Sequence, residues 1–308
     1  MQKIPVIAVV GPTASGKSDL AVQIALEYSG EIVSCDSMQI YKGISVATAA
    51  PTKEQTDAVK HHLVEFLDCS KGYSVADYVS DAKEVIADIH ARGKLPIIAG
   101  GTGLYVNSLL NNIHFTEQQT DLALRQKLSD EYDLLGPTAM LNRLKELDAD
   151  YAATLHENDK KRVVRALEII TLTGQSVTQA IENSKIEPSL YNPLLIGITY
   201  SDRELLYERI NKRVDIMLQN GLLQEARQAF EASMNTAAQA IGHKELFGFF
   251  KGEQTLNEAL ENLKMQTRRY AKRQLTWFNK NKDINWIYPD LTPDVFNEAK
   301  QIINEWSR

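Results

Sequence analysis

The period of the apolar residues changes twice along the chain and divides it into three stretches. Residues 4–10 are an unbroken, largely β-branched run of the kind that fills a strand buried on both faces, and the run ends in a glycine-rich loop. A helical period follows from 17 to about 28, then a second short strand at 31–35 that stops at Asp36. A helix from about 75 to 91 leads through Gly93 into a third strand at 95–99, which ends at Gly100-Gly101-Thr102-Gly103. Strands alternating with helices predict right-handed crossovers and a parallel sheet covered on both faces. From about 112 to 193 the period is helical throughout, with Pro137 suited to the start of one helix and Gly174 to the end of another. Strand signal returns at 194–199, Asp202 is placed to cap the next helix, and a long helix from about 256 to 279 precedes a strand at 284–288 and a terminal helix. The expected fold is α/β: a core of residues 1–112 and 191–308, with an all-helical insertion at 113–190.

Composition narrows the class. The 308 residues are 24% charged and 44% hydrophobic, as in an ordinary globular protein able to bury a full core. The first apolar run covers only about six residues, too short for a secretory segment or for the ~20 residues of a membrane span. Cys35 and Cys69 lack metal-ligand spacing and form no disulfide framework, so a reducing cytoplasm is the expected location. The net charge of −6 argues against a nucleic-acid partner until its distribution is considered. Between Glu261 and Lys282 stand seven basic residues and one acidic one, a local +6 in an acidic chain.

Chemistry enters at the strand ends. Gly11-Pro12-Thr13-Ala14-Ser15-Gly16-Lys17-Ser18 matches the phosphate-loop pattern G-x-x-x-x-G-K-[ST], and it lies between a strand and a helix, as that loop requires. Its amides and the helix N-terminus would hold a polyphosphate, Lys17 would reach the phosphate oxygens, and Ser18 would help to hold Mg²⁺. The sheet is therefore expected to be of the P-loop NTPase-like kind, with ligands at its carboxyl edge. Asp36 follows the second strand and projects from that edge, as a general base, a metal ligand or a turn cap. Ser37, Met38 and Gln39 follow it, and Gln can pair with an adenine edge. The glycines around Thr102 allow close backbone approach to a ligand or simply a tight turn. Three basic helical stretches remain, around Lys160-Lys161-Arg162 and Arg165, around Arg209 and Arg213, and around Arg268, Arg269, Lys272 and Arg273. The last interleaves cations with Tyr270, Trp277 and Phe278, which suits either an RNA groove or a helix anchored on the sheet.

Taken in order, these stretches resemble the tRNA dimethylallyltransferases (tRNA isopentenyltransferases) over nearly the whole chain. The resemblance rests on GPTASGKS at 11–18, DSMQIYKG at 36–43, HHL at 61–63, GGTGLY at 100–105 and NDKKRVVRALE at 158–168. It continues through RINKRVD at 209–215, QAIGHKEL at 239–246 and TRRYAKRQLTWF at 267–278. It implies transfer of a dimethylallyl group from dimethylallyl diphosphate to N6 of the adenine 3′ of the anticodon, position 37, with Mg²⁺. It assigns Asp36 as general base, Thr102 to the reacting centre, and Lys17 and Arg213 to the leaving diphosphate. Residues 36–39 would hold the flipped adenine. The tRNA anticodon stem-loop would be gripped by Lys160, Lys161, Arg162 and Arg165, by Gly242, His243 and Lys244, and by Arg268, Arg269, Lys272 and Arg273.

The chain departs from the family pattern at 45–50, where relatives usually carry more glycine and lysine, and at His243, where tyrosine is common. No cysteine/histidine cluster follows the core, which favours the bacterial type, and one asymmetric grip on tRNA favours a monomer. A small-molecule kinase would use the same loop and Asp36 but leaves the arginine-rich helices unexplained. A nucleotide-switched RNA-binding protein would need no Asp36, and an adenylate prenyltransferase of the cytokinin type would need no insertion.

Overall fold

The computed structural model describes residues 3–115, 121–184, 187–232 and 240–307. Six strands form one wholly parallel sheet: β1 (Ile4–Val10), β2 (Gly30–Ser34), β3 (His61–His62), β4 (Leu95–Gly100), β5 (Tyr191–Ile198) and β6 (Ile284–Ile287), in the order β3-β2-β4-β1-β5-β6. The central strand β1 is almost entirely buried, with Val6 to Val10 at 0% exposure, as its unbroken apolar run requires. One core layer packs Tyr78, Ile86 and Leu109 against one face, and a second packs Leu20, Ile24 and Ile303 against the other.

The chain divides into two compact units, 1–110 with 189–308, and 111–188. The second is built of helices around a core of Leu128, Met140, Leu144, Val163 and Leu167. Pro137 is the first residue of the helix Pro137–Leu147, and Gly174 ends the helix Lys160–Thr173 with a positive φ of 68°.

Two features were not legible beforehand. β5 begins at Tyr191, so Pro193 lies inside a strand where it read as a boundary. It faces Val6 on β1 but precedes the span 195–198 that pairs with β6, so a proline costs no ladder bond on that side. β3 has only two residues and no periodicity to detect. Side chains hold it: His62 Nε2 lies 2.7 Å from the buried Glu31 carboxylate, which Arg92 (2.6 and 2.7 Å) and Lys94 (2.8 Å) also bind. Hydrogen bonds from Arg92 above all keep the Glu31 carboxyl far below the usual range.

Candidate active site

The phosphate loop is shaped by close approach. At Gly11, φ is 152° and a Cβ would lie 2.3 Å from the Ile198 carbonyl oxygen, so β1 can turn tightly over the end of β5 only with glycine there. Gly16, at φ 99°, starts the helix Lys17–Glu27 and aims that helix N-terminus into the loop. Ser15 is buried and its hydroxyl meets no partner among the described residues. A buried polar group needs a partner, and this hydroxyl is free to take one from a ligand in the loop.

Around the loop lies a cavity of about 290 Å³, bordered by Lys17, Asp36, Ser37, Arg213, Tyr270 and Arg273 among others. Lys17 Nζ donates to the Pro12 carbonyl at 3.2 Å. Burial pushes its ammonium down to about 8, the nearby Arg213 charge works in the same direction, and Asp36 opposes both. Burial likewise lowers Arg213, again against Asp36. Among the described residues, Lys17, Arg213, Lys244 and Arg273 thus share one cavity with a single carboxylate, Asp36. Arg213 belongs to the helix Arg203–Gln219, which also carries Arg209 one turn earlier and Lys212 immediately before it. Arg209 Nε donates to the Ala14 carbonyl at 3.0 Å, and both residues border a second cavity of about 410 Å³ outside the loop. Lys212 was not singled out from the sequence, although its i+3 spacing from Arg209 is the signal for it.

Asp36 accepts from the Met38 amide through Oδ1 at 2.9 Å, so one carboxylate oxygen caps the turn while the residue also borders the cavity. Thr102 Oγ1 accepts from the Ser37 amide at 3.0 Å, and its side chain is also hydrogen-bonded to Tyr270. Burial first, and then the Asp36 charge, push the Tyr270 phenol far up. Thr102 therefore joins the two strand ends and the long helix Leu256–Phe278 beside Asp36.

The glycines around Thr102 are there for close approach. A Cβ on Gly100 would lie 2.1 Å from the Cys35 carbonyl oxygen, on Gly101 2.1 Å from Gln274 Nε2, and on Gly103 2.1 Å from Trp277 Cδ1. Gln274 is the residue that sequence reasoning missed. Its Oε1 accepts from the Thr13 amide at 2.8 Å and its Nε2 donates to the Gly101 carbonyl at 3.0 Å, tying the phosphate loop to the glycine turn. Its signal was its place one turn beyond Tyr270 on the same helix face.

On that helix, Tyr270, Arg273 and Gln274 face the cavity, while Trp277 packs on Gly103 and Phe278 is in the core. Arg269 and Lys272 are exposed, and Arg268 donates to Asn211 Oδ1 at 2.7 Å. In the helical unit, Lys161 and Arg162 are exposed and Lys160 pairs with Asp133 at 2.6 Å. Arg165 lies 2.8 Å from Glu168, a fully buried carboxylate that also binds Arg125. This ion pair ties Arg165, which is half-buried, to a carboxylate of its own unit.

Gly242 and His243 do not sit where an RNA contact requires. Both are buried, and His243 Nε2 lies 2.9 Å from Glu225 Oε1, so its ring faces a carboxylate and not solvent. Of that stretch, Lys244 is exposed and borders the cavity. Gln239 lies outside the described residues. Gln39 also borders the cavity, but its amide is engaged: Nε2 donates to the Thr48 and Ala49 carbonyls at 3.3 and 3.1 Å, and Oε1 accepts from Ser34 Oγ at 3.1 Å.

Among the described residues no helix is long and apolar enough to cross a membrane, and no group of three or more His, Cys, Asp or Glu could hold a metal ion.

The family model described as IPP transferase matches residues 39–281. The chain is 44% identical over 305 residues to the tRNA dimethylallyltransferase of Thermoanaerobacter sp. (strain X514), covering 97% of this chain and 96% of that protein. It is also 44% identical over 301 residues to the tRNA dimethylallyltransferase of Bacillus subtilis (strain 168), covering 97% and 95%. The crystal structure of the full-length tRNA isopentenylpyrophosphate transferase from Bacillus halodurans is similar with a TM-score of 0.72 at 39% identity, over 99% of this chain and 98% of that one. A eukaryotic dimethylallyltransferase solved acting on tRNA is similar with a TM-score of 0.82 at 31% identity, over 97% of this chain and 78% of that one. With the family model matching residues 39–281 and relatives 44% identical along nearly the whole chain, this protein belongs to the IPP transferase family, that of the tRNA dimethylallyltransferases.

Proposed function

We propose that this protein transfers the dimethylallyl group of dimethylallyl diphosphate to N6 of the adenine 3′ of the anticodon, position 37, in tRNA, releasing diphosphate. Its relatives' names supply the dimethylallyl group and the tRNA acceptor, and the family resemblance supplies the diphosphate donor and the adenine. The observation that supports the residue roles is that Lys17 and Arg213 border the same cavity as Asp36. The reaction needs both. Its amine is a poor nucleophile because the lone pair is delocalised into the purine, and its leaving group accumulates charge.

The diphosphate binds the loop amides from Ala14 to Ser18, the Thr13 amide being engaged by Gln274, together with the hydroxyl of Ser15 and the ammonium of Lys17. N6 attacks the allylic C1; as the N6–C1 bond forms, the C1–O bond breaks and its electron pair leaves with the diphosphate. Lys17 and Arg213 stabilise that charge in a cavity where burial strengthens the interaction. Asp36 takes the N6 proton. Thr102, held between Ser37 and Tyr270, keeps Asp36 in register with the glycine turn. An adenine stacked in an RNA loop reaches such a cavity only by turning out of the stack, which is cheap for an unpaired base.

Mg²⁺ fits this site as an ion shared with the donor. Ser18 follows Lys17 at the helix start, and no cluster of three protein ligands competes for the ion among the described residues. The cation would be held by Ser18 and by the donor's own phosphate oxygens, and it would neutralise part of the diphosphate charge. The exposed cations Lys161, Arg162, Arg269 and Lys272, together with Lys244 at the cavity, are the proposed tRNA phosphate contacts.

The test is transfer of label from radioactive dimethylallyl diphosphate, with Mg²⁺, to unmodified tRNA, with AMP and ATP as parallel acceptors. Label in tRNA alone, mapped to the adenine 3′ of the anticodon, is the expected result. Label in AMP or ATP would move the protein to the cytokinin-type reaction, and ATP hydrolysis without transfer would reopen the kinase reading.

A further inference from the structure

One wall of the active cavity is a helix of a single turn, Ser45–Thr48, whose Ala47 and Thr48 border the cavity together with Ala49. Four residues do not hold a helix by themselves, because nucleation costs more than one turn of hydrogen bonds returns. Ala49 adds strain: its φ is 43°, in the left-handed region that disfavours side chains. The wall keeps its shape because both of its ends are held from outside.

At the N-terminal end, both oxygens of Glu225 accept backbone amides, Val46 N to Oε2 and Ala47 N to Oε1, each at 2.8 Å. These are orphan donors of a helix start, and a carboxylate also suits the positive end of the helix dipole. His243 Nε2 lies 2.9 Å from the same Oε1, and its ring is wholly buried. Gly242 presses the turn from behind, since a Cβ there would lie 3.3 Å from Ala47 Cβ. At the C-terminal end, Gln39 holds the Thr48 and Ala49 carbonyls. The two places where the chain departs from its family's pattern, 45–50 and His243, thus meet through one carboxylate.

The cavity surface beside this wall is apolar, with Val214, Met217 and Ile241 next to Ala47 and Ala49. The phosphate loop fixes the diphosphate end of the donor, so the hydrocarbon end has this surface to pack against. We propose that Glu225 and His243 are positioning residues for the prenyl donor: they hold the Ser45–Thr48 turn where Ala47 and Ala49 limit the length of the allylic chain. The proposal rests on the transfer reaction above and assigns the donor-length specificity of the same site.

Glu225→Gln removes one acceptor and places an amide N–H₂ against a backbone N–H. Loss of charge-assisted hydrogen bonds of this kind predicts a rise of about tenfold or more in KM for dimethylallyl diphosphate. Turnover at saturating donor and tRNA affinity should change little. The same variant should gain relative activity with geranyl diphosphate, which a general loss of stability would not produce. His243→Phe should behave like Glu225→Gln, while His243→Gln, which keeps a side-chain donor, should recover most of the parent's selectivity. Parent-like KM and geranyl selectivity in folded Glu225→Gln and His243→Phe proteins would overturn the proposal, as would equal impairment in His243→Gln and His243→Phe. Hydrogen exchange on the unsubstituted protein provides a measurement independent of folding defects. The Val46 and Ala47 amides should be protected, and exchange at the rate of an open turn would sink the clamp. An unsubstituted protein that transfers no prenyl group at all would instead remove the underlying function, and the exchange result would stand apart from it.

Discussion

Asp36→Asn is expected to bind tRNA as the parent does and to lose about a hundred- to ten-thousand-fold in turnover, the range of a positioned general base. The substitution keeps the size of the side chain and an oxygen able to accept from the Met38 amide, so the turn capped at 2.9 Å survives. What it removes is the proton acceptor and the negative charge facing Lys17 and Arg213. Losing that charge should by itself tighten diphosphate binding, because the two cations then have no competing anion. The diagnostic pattern is therefore a large fall in kcat with an unchanged or lower KM for the donor, measured by single-turnover transfer. Unchanged turnover would reduce Asp36 to a turn cap, the alternative its position always allowed.

The second large effect concerns Lys17. Burial lowers its ammonium to about 8, so in the free protein it loses its charge as the pH rises through that value. The sign follows directly: the protonated form binds the diphosphate, so kcat/KM for the donor should be level below pH 8 and fall about tenfold per unit above it. Bound diphosphate favours the charged form, so kcat at saturating donor should hold its value to higher pH. For folding the sign is opposite. A buried lysine held below its ordinary 10.5 penalises the charged native state, and the penalty is relieved as pH rises through 8. Inorganic diphosphate should therefore raise the melting temperature most at pH 7 and less at pH 9. Lys17→Met should abolish the pH break and cost about a hundred- to a thousand-fold in kcat/KM, as loss of a preorganised charge stabiliser does. A break near 8 that persists in Lys17→Met would belong to another group.

Both predictions concern residues whose positions, at the phosphate loop and at the end of a strand, were legible in the sequence because local rules govern them. A phosphate loop needs glycine where the backbone turns back on a neighbouring strand, and Gly11 against Ile198 meets that need. Buried parallel strands need unbroken apolar runs, and β1, β4 and most of β5 have them. Caps and stops such as Asp202, Pro137 and Gly174 act within one helical turn of themselves, so their residue types announce them.

What tertiary structure alone decided depends on partners far away in the chain. Gln274 serves Thr13, 261 residues earlier, and an amide side chain carries no mark of what it will bind. His243 was expected as an RNA contact because the family resemblance places it in an RNA-contact stretch, yet the fold turns it inward onto Glu225. Arg165 read as one face of a basic helix, yet its neighbour one turn on is a carboxylate buried to 0%. Local propensity specifies an element and its ends, because backbone sterics and capping act over three or four residues. Which polar side chain meets which is settled only when the sheet order brings distant strand ends together. The sequence by itself therefore determined the long elements, their order and the phosphate loop, while packing decided the two-residue strand β3, the single turn Ser45–Thr48, and which of the remaining polar groups face the cavity.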